Sequence, residues 1–266
     1  MLNVLITGAA SGIGESIRNY YLGKGHNVFA LDVKKIDEQN GLLSFVCDIT
    51  NENEINKIKK QLDEQKIRLD LIINVAGIHK MASLVENDFN EMKKVIDINL
   101  TGTMLVNKTF HSLLQKNGRI IIVTSEVASF DPMPFNGLYN ISKTALDCYA
   151  QALRQELNLI NQKVITIRPG AVETPLSSYS LEDTKKLSNS TKLYQKQAGK
   201  FVKIASKFMG TPIKPIKLAK IIYKASIKKN PKIIYQVHRN LGLILLNCLP
   251  KRMQCWIIRC LLGKSE

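Results

Sequence analysis

The sequence predicts a doubly wound α/β fold, a parallel sheet covered by helices on both faces, and three observations predict it. Short runs rich in β-branched and aliphatic residues alternate with longer helical patterns along the 266 residues. Several of those runs are apolar at nearly every position, as strands buried on both faces must be. A glycine-rich turn joins the first run to the first helical pattern, and each further polar motif also follows the end of a run. With right-handed crossovers, the carboxyl ends of all strands share one edge, and that edge is where ligands bind.

The expected strands are Asn3–Thr7, Asn27–Leu31, Leu43–Cys47, Leu69–Asn74, Arg119–Thr124, Val164–Arg168 and Lys232–Tyr235. Helices are expected near 13–24, 52–67, 88–115, 138–160 and 215–229. Residues 176–212 break the rhythm with serines and lysines among scattered Leu, Tyr and Phe, which reads as a lid over a substrate. The chain therefore divides into a nucleotide-binding and catalytic domain over 1–240, lid included, and a basic amphipathic tail over 241–266.

At 45% hydrophobic residues the chain can bury a large core, which excludes a disordered protein. Five cysteines without metal-ligand spacing predict a reduced, cytoplasmic setting, no metal, and cysteines used as small core residues. A buried strand from residue 3 leaves no room for a secretion signal, and no apolar run approaches the ~20 residues of a membrane span. The net charge of +16 is uneven. Residues 1–183 carry 19 Lys+Arg against 21 Asp+Glu, whereas residues 184–266 carry 19 against the single acid Glu266. Such a tail suits an anionic partner, most plausibly a membrane surface, unless the lysines only decorate solvated helix faces. Nucleic acid is not expected, because aromatic stacking platforms are sparse among the lysines.

Thr7-Gly8-Ala9-Ala10-Ser11-Gly12-Ile13-Gly14 lies between the first strand and the first helix. Glycines there permit a tight turn and close approach of the backbone to a pyrophosphate, and the helix start at Ser11, Gly12, Ile13 and Gly14 supplies N–H donors and positive dipole. Asp32 ends the second strand, placed to accept both ribose hydroxyls of NAD and to repel the 2′-phosphate of NADP. NAD is the expected cofactor, with NADP the weaker choice, since Lys34 and Lys35 follow closely. Asp48, with Ile49 beside it, is placed for the adenine amino group. Asn74, Ala76 and Gly77 offer backbone and small side chains near the adenine ribose.

Tyr139 and Lys143 lie four residues apart on a helix and share a face. A free phenol, with a pKa of about 10, exchanges protons poorly near neutrality. A nearby ammonium and a positive nicotinamide favour the phenolate and lower that value. Lys143 also has the reach to hold the nicotinamide ribose.

In this order, T-G-x-x-x-G-x-G, an acid after the second strand, N-x-A-G, a Ser after the fifth strand, Y-x-x-x-K and P-G, the chain strongly resembles the short-chain dehydrogenase/reductase family over about residues 2–175. The resemblance implies a Rossmann-like sheet, Tyr139 as acid–base with Lys143 as its modulator, Ser125 bonding the substrate oxygen, and Asn99 holding a water that links Lys143 to a proton relay. In Arg168-Pro169-Gly170-Ala171-Val172-Glu173-Thr174 it implies cofactor contacts from Pro169, Gly170, Val172 and Thr174, with Thr174 on the carboxamide. It also implies a homo-dimer or homo-tetramer. The serine departs from the pattern: Ser125 lies 14 residues before Tyr139, one more than usual, and Glu126 occupies the nearer position.

The function expected is hydride transfer between NAD(H) and a secondary alcohol or ketone, lipophilic because the lid is apolar: a steroid, retinoid-like, long-chain or acyl substrate. The other reading is a catalytically idle NAD-sensing or scaffold protein on the same fold. In the tail, Met253, Trp256, Ile257, Cys260 and Leu261 form one helix face beside Lys251, Arg252 and Arg259. That pattern fits an interfacial helix on the inner membrane face, and equally an oligomer contact or a cover for the substrate pocket.

Overall fold

Seven strands form in the computed structural model: β1 (Asn3–Thr7), β2 (Asn27–Asp32), β3 (Leu42–Val46), β4 (Leu69–Asn74), β5 (Leu114–Val123), β6 (Lys163–Pro169) and β7 (Ile234–Val237). All pair in parallel, in the order β3-β2-β1-β4-β5-β6-β7. The structure describes residues 1–175, 186–189, 191–208 and 211–263. The helices are α1 (Gly12–Leu22), α2 (Glu52–Glu64), α3 (Phe89–Ile96), α4 (Thr103–Phe110), α5 (Gly137–Asn158), α6 (Gln195–Phe208), α7 (Pro215–Ile227), α8 (Leu241–Asn247) and α9 (Lys251–Leu262).

Period-two alternation sorts the strand residues between two cores. Leu5, Ile72, Ile120 and Ile122 face α2, α4 and α5 through Ile55, Leu62, Val106, Phe110 and Leu146. Val4, Ile6, Leu71, Ile73 and Ile121 face α1 and α7 through Ile17, Tyr21, Leu218 and Ile222. The doubly wound architecture predicted by the apolar runs is the one observed. A third, smaller cluster joins Phe135, Leu187, Phe201 and Leu262, so α6 and α9 share an apolar seam outside the sheet.

Four expectations change. The single helix over 88–115 is instead α3 and α4 joined by a widened π-type turn, Asp97–Gly102, followed by a 3-10 turn, His111–Leu113. Gly102 sits within that widened turn against Ile49, where a Cβ would come within 2.9 Å of the Ile49 side chain. β5 begins at Leu114 rather than Arg119, because its pairing with β4 jumps from Leu69↔Leu114 to Leu71↔Arg119. β7 lies two residues later than expected, since β6 offers Thr166 to Pro169 as partners for Ile234 to Val237. Cysteines are the fourth: only Cys47 is buried, and Cys148, Cys248, Cys255 and Cys260 are exposed. Most of the first half of the expected lid, 176–185, lies outside the described residues. Among the described residues no helix is long and apolar enough to cross a membrane.

Candidate active site

The turn after β1 is built by close approach. Gly8 has φ +67 and presses on Ala76, where an added Cβ would lie 2.8 Å from two backbone atoms. Thr7 Oγ1 accepts from the backbone N–H groups of Val75 and Ala76 at 3.1 and 3.2 Å, locking the ends of β1 and β4 together. At Gly14 a Cβ would lie 2.0 Å from the Gly8 carbonyl oxygen, so α1 packs directly on the turn. Ser11 is the N-cap of α1, and its hydroxyl makes no capping bond. The first N–H groups of α1, among them those of Gly12, Ile13 and Gly14, are therefore left for an anion. Thr174 lies against Gly12, with its side chain 3.2 Å from where a Cβ would stand.

Asp32 is held at this turn: its carboxylate accepts from the N–H of Ala10 at 2.9 Å and from that of Lys34 at 2.9 Å. Asp48 is exposed, and one of its oxygens closes a turn onto the N–H and hydroxyl of Thr50. Other expected contacts turn away from this edge. The Ile49 and Val172 side chains are core residues, leaving only their backbones to reach a ligand. The Asn74 amide donates to Asn107 on α4 at 2.8 Å, and its Oδ1 is buried without a hydrogen-bond partner. Gly170 is required by packing, since a Cβ there would meet the His238 carbonyl at 1.9 Å. Its neighbour Pro169 ends β6.

The catalytic candidates converge at the start of α5. Tyr139 donates to or accepts from Ser125 through its hydroxyl, and burial pushes its pKa up to about 12, with the Ser125 bond opposing. A 3-10 turn, Glu126–Ser129, and the loop that follows it connect Ser125 to the start of α5. Lys143 is buried, its Nζ is 5.8 Å from the Tyr139 ring centroid, and burial lowers its pKa to about 8. Its ammonium donates to the Val123 carbonyl at 3.4 Å. Gly77 leaves the space beside it open, since a Cβ there would meet both Lys143 Nζ at 3.3 Å and Asn99 Oδ1 at 3.0 Å. Asn99, fully buried in the π-type turn, spends its side chain on the backbone of Ile78 and on Ser142 Oγ. A water relay at Asn99 would thus have to use its main-chain carbonyl.

Two groups here, His79 and Asp147, escaped the motifs, and a third, Glu126, was marked in sequence only by its place beside Ser125. His79 stacks on Tyr139 with ring centroids 4.5 Å apart, and its Nε2 lies 3.0 Å from Asn136 Oδ1. Its only sequence signal is a position two residues beyond N-x-A-G. Asp147, one turn beyond Lys143 on α5, takes a bidentate bond from Arg168 at 2.9 and 2.6 Å and the Thr124 hydroxyl at 3.2 Å. That pair fixes α5 to β6 beneath the site, and the i, i+4 spacing from Lys143 was its available signal. Glu126 is buried, and its carboxylate accepts from the Asn240 N–H at 2.7 Å, with burial raising its pKa. It ties the loop after Ser125 to the start of α8.

Comparison with known proteins agrees with this geometry. Residues 2–185 match the family described as short chain dehydrogenase. A protein of Schizosaccharomyces pombe described as NADPH-dependent 1-acyldihydroxyacetone phosphate reductase is 34% identical over 190 residues, 67% of this chain and 62% of that one. The chain thus spans less than two thirds of that relative's length. A 3-ketodihydrosphingosine reductase of Bacteroides thetaiotaomicron is 28% identical over 233 residues, covering 86% of this chain and 84% of that one. Among solved structures, a short chain dehydrogenase family protein of Francisella tularensis superposes with a TM-score of 0.73 at 22% identity, covering 89% of this chain and 97% of that one. The glycine cradle, the uncapped start of α1 and the Tyr139–Lys143 pair fit the NAD or NADP that this family binds. With more than half its length matched, the chain belongs to the short-chain dehydrogenase family, an oxidoreductase fold built around a nicotinamide dinucleotide.

Proposed function

We propose that this enzyme transfers a hydride between NAD(H) and a lipophilic secondary alcohol or ketone, with Tyr139 as acid–base. The observation that carries this reading is the buried Lys143 ammonium 5.8 Å from the Tyr139 ring centroid, with Ser125 beside the phenol. When bound, the nicotinamide supplies the two-electron hydride acceptor or donor. In oxidation, the Tyr139 phenolate takes the proton of the substrate hydroxyl. In reduction, the phenol returns it to the carbonyl oxygen. Ser125 positions that oxygen by a hydrogen bond, and Lys143 favours the phenolate electrostatically while its remaining N–H bonds orient the nicotinamide ribose. Gly8, Ser11, Gly12, Ile13 and Gly14 would hold the pyrophosphate, Asp32 the adenine ribose and Thr174 the carboxamide. Lipophilic character is supported by a cavity of about 510 Å³ lined by residues such as Leu84, Met133, Phe135, Ile258 and Leu262. The relatives described as a 1-acyldihydroxyacetone phosphate reductase and a 3-ketodihydrosphingosine reductase support the same reading. The reading includes a cytoplasmic homo-oligomer whose substrates partition into membranes. The test is NADH production from secondary alcohols of increasing chain length: kcat/KM should climb with apolar length. No turnover of any member, with NADH still bound, would leave the idle sensor.

The half-buried Tyr139 phenol sets the sign of the pH dependence. Tyr139 is pushed up to about 12, so it is protonated at neutrality, the form that reduction needs. Oxidation needs the phenolate, so its kcat/KM should rise as pH increases from neutrality. The rise should flatten above about 8, where Lys143 loses the charge that favours the phenolate. Reduction should stay level over the same range. An oxidation rate independent of pH between 6 and 8 would refute the phenol as base (roughly tenfold per unit is the limit for a single proton).

Preference for NAD is supported by the Asp32 carboxylate seated at the turn. The Schizosaccharomyces relative is described as NADPH-dependent, so the cofactor preference of the unmutated enzyme is the test. Asp32→Ala should relax the choice toward NADP chiefly through KM, since ribose bonds and phosphate repulsion vanish together. Preference for NADP in the unmutated enzyme would overturn the assignment.

A further inference from the structure

The helix α9 carries two apolar stripes. Ile258 and Leu262 turn inward, onto Phe135 and Phe201 in the third cluster. Met253, Trp256 and Leu261, spaced i, i+3 and i+8, form a second stripe that among the described residues stays 47%, 65% and 50% exposed. On α8, one turn apart, Leu241 and Leu245 are 74% and 70% exposed. Single exposed apolar residues are ordinary, but three on one stripe of α9, with two more on the preceding helix, are the kind of concentration that marks an interaction site.

We propose that this outer face of α8 and α9 docks the protein on an anionic lipid bilayer. Charge selects the occupant. Arg252 and Arg259 flank the exposed stripe and are themselves exposed. The neighbouring α6 presents exposed Lys196 and Lys200, and Lys200 Nζ comes within 2.8 Å of where a Cβ on Gly263 would stand. From residue 184 onward the chain carries 19 basic residues and one acid, Glu266, and among the described residues Asp131 from the catalytic half pairs with Lys251 alone, at 3.4 Å. A second copy offering the same face would bring like charges together, whereas an anionic bilayer complements them and receives the tryptophan and leucines at its interface. The face is also rigidly mounted. The Asn240 N–H donates to Glu126 at 2.7 Å, the Asp131 N–H to Asn247 at 2.6 Å, and the Gln254 amide to Asp131 at 3.1 Å. Docking therefore orients the whole enzyme. The inner stripe of the same helix, Ile258 and Leu262, lines the apolar cavity, so docking would bring that cavity to the bilayer. That last step rests on the proposed catalytic function, and the docking does not.

The test is co-sedimentation of the full chain with phosphatidylcholine vesicles, with and without phosphatidylglycerol. Binding is expected with phosphatidylglycerol, weakening with salt without vanishing, because the apolar part is not screened. Trp256 emission should shift to the blue on those vesicles. The triple variant Met253→Ser/Trp256→Ser/Leu261→Ser should lose about tenfold or more in partition while keeping its melting temperature and NADH affinity. Equal partition of variant and wild type, or equal binding to pure phosphatidylcholine, would overturn the proposal. A variant that changes assembly size, with no vesicle binding by the wild type, would assign the face to a second copy. Turnover of a water-soluble secondary alcohol without vesicles reads the catalytic proposal separately: its loss beside intact vesicle binding sinks catalysis alone.

Discussion

Tyr139→Phe is expected to abolish most turnover and leave cofactor binding almost untouched. In the proposed mechanism the hydroxyl exchanges the substrate proton, whereas the dinucleotide would be held at the glycine turn and at Asp32, on other strands. General acid–base catalysis contributes about 10²- to 10⁴-fold, so kcat should fall by that much. Removing the hydroxyl also frees Ser125 of its partner, a loss of about 1 kcal/mol that is small beside the catalytic one. The ring remains, and with it the stack on His79, so folding should be preserved. Steady-state rates and NADH fluorescence titration separate the two effects. A variant that keeps more than about a tenth of wild-type kcat would remove Tyr139 from the proton-transfer role.

The second large effect is expected at Gly14. Replacing a helical glycine by alanine ordinarily stabilises by about 1 kcal/mol. Here the new methyl would lie 2.0 Å from the Gly8 carbonyl oxygen, a backbone atom that cannot swing aside. Overpacking of this kind costs about 1–3 kcal/mol, more where backbone must shift, and the shift moves α1 off the turn. Gly14→Ala should therefore lower Tm by several degrees and weaken NADH binding by about tenfold or more. Gly199 in α6 is the control, because no atom lies within 4 Å of its added Cβ. Gly199→Ala should raise Tm slightly and leave NADH binding unchanged. Similar cofactor affinity in Gly14→Ala and wild type would mean that α1 does not frame the pyrophosphate site.

Much of this protein follows from local sequence, for a physical reason. Alternation with period two and helical spacing report which face of an element is apolar, and that depends only on neighbours along the chain. Hence Asn3–Thr7 and Leu69–Asn74 are legible as strands to the residue, and the parallel sheet follows from their apolar continuity. The glycine turn and the Tyr139–Lys143 pair are legible for the same reason, since turn and helix geometry set their spacing.

Other features depend on contacts between distant segments, which no local pattern carries. Whether Asn74 faces a ligand or Asn107 is settled by where α4 packs, and the π-type turn at Asn99 accompanies the Ile78 backbone and Ile49 pressing on it. Gly170 reads as a ligand glycine in sequence, and the structure adds a packing reason for it that no local pattern carries, the close approach of the His238 carbonyl from β7's end. A position one residue out of register left Ser125 ambiguous against Glu126, until the fold brought the Ser125 hydroxyl to Tyr139 and turned Glu126 toward α8. The amphipathic tail was legible as amphipathic, yet only tertiary packing decided that its inner stripe seals α6 while Met253, Trp256 and Leu261 stay outside. Apolar spacing says that a face will be covered; what covers it is a property of the surfaces that meet there.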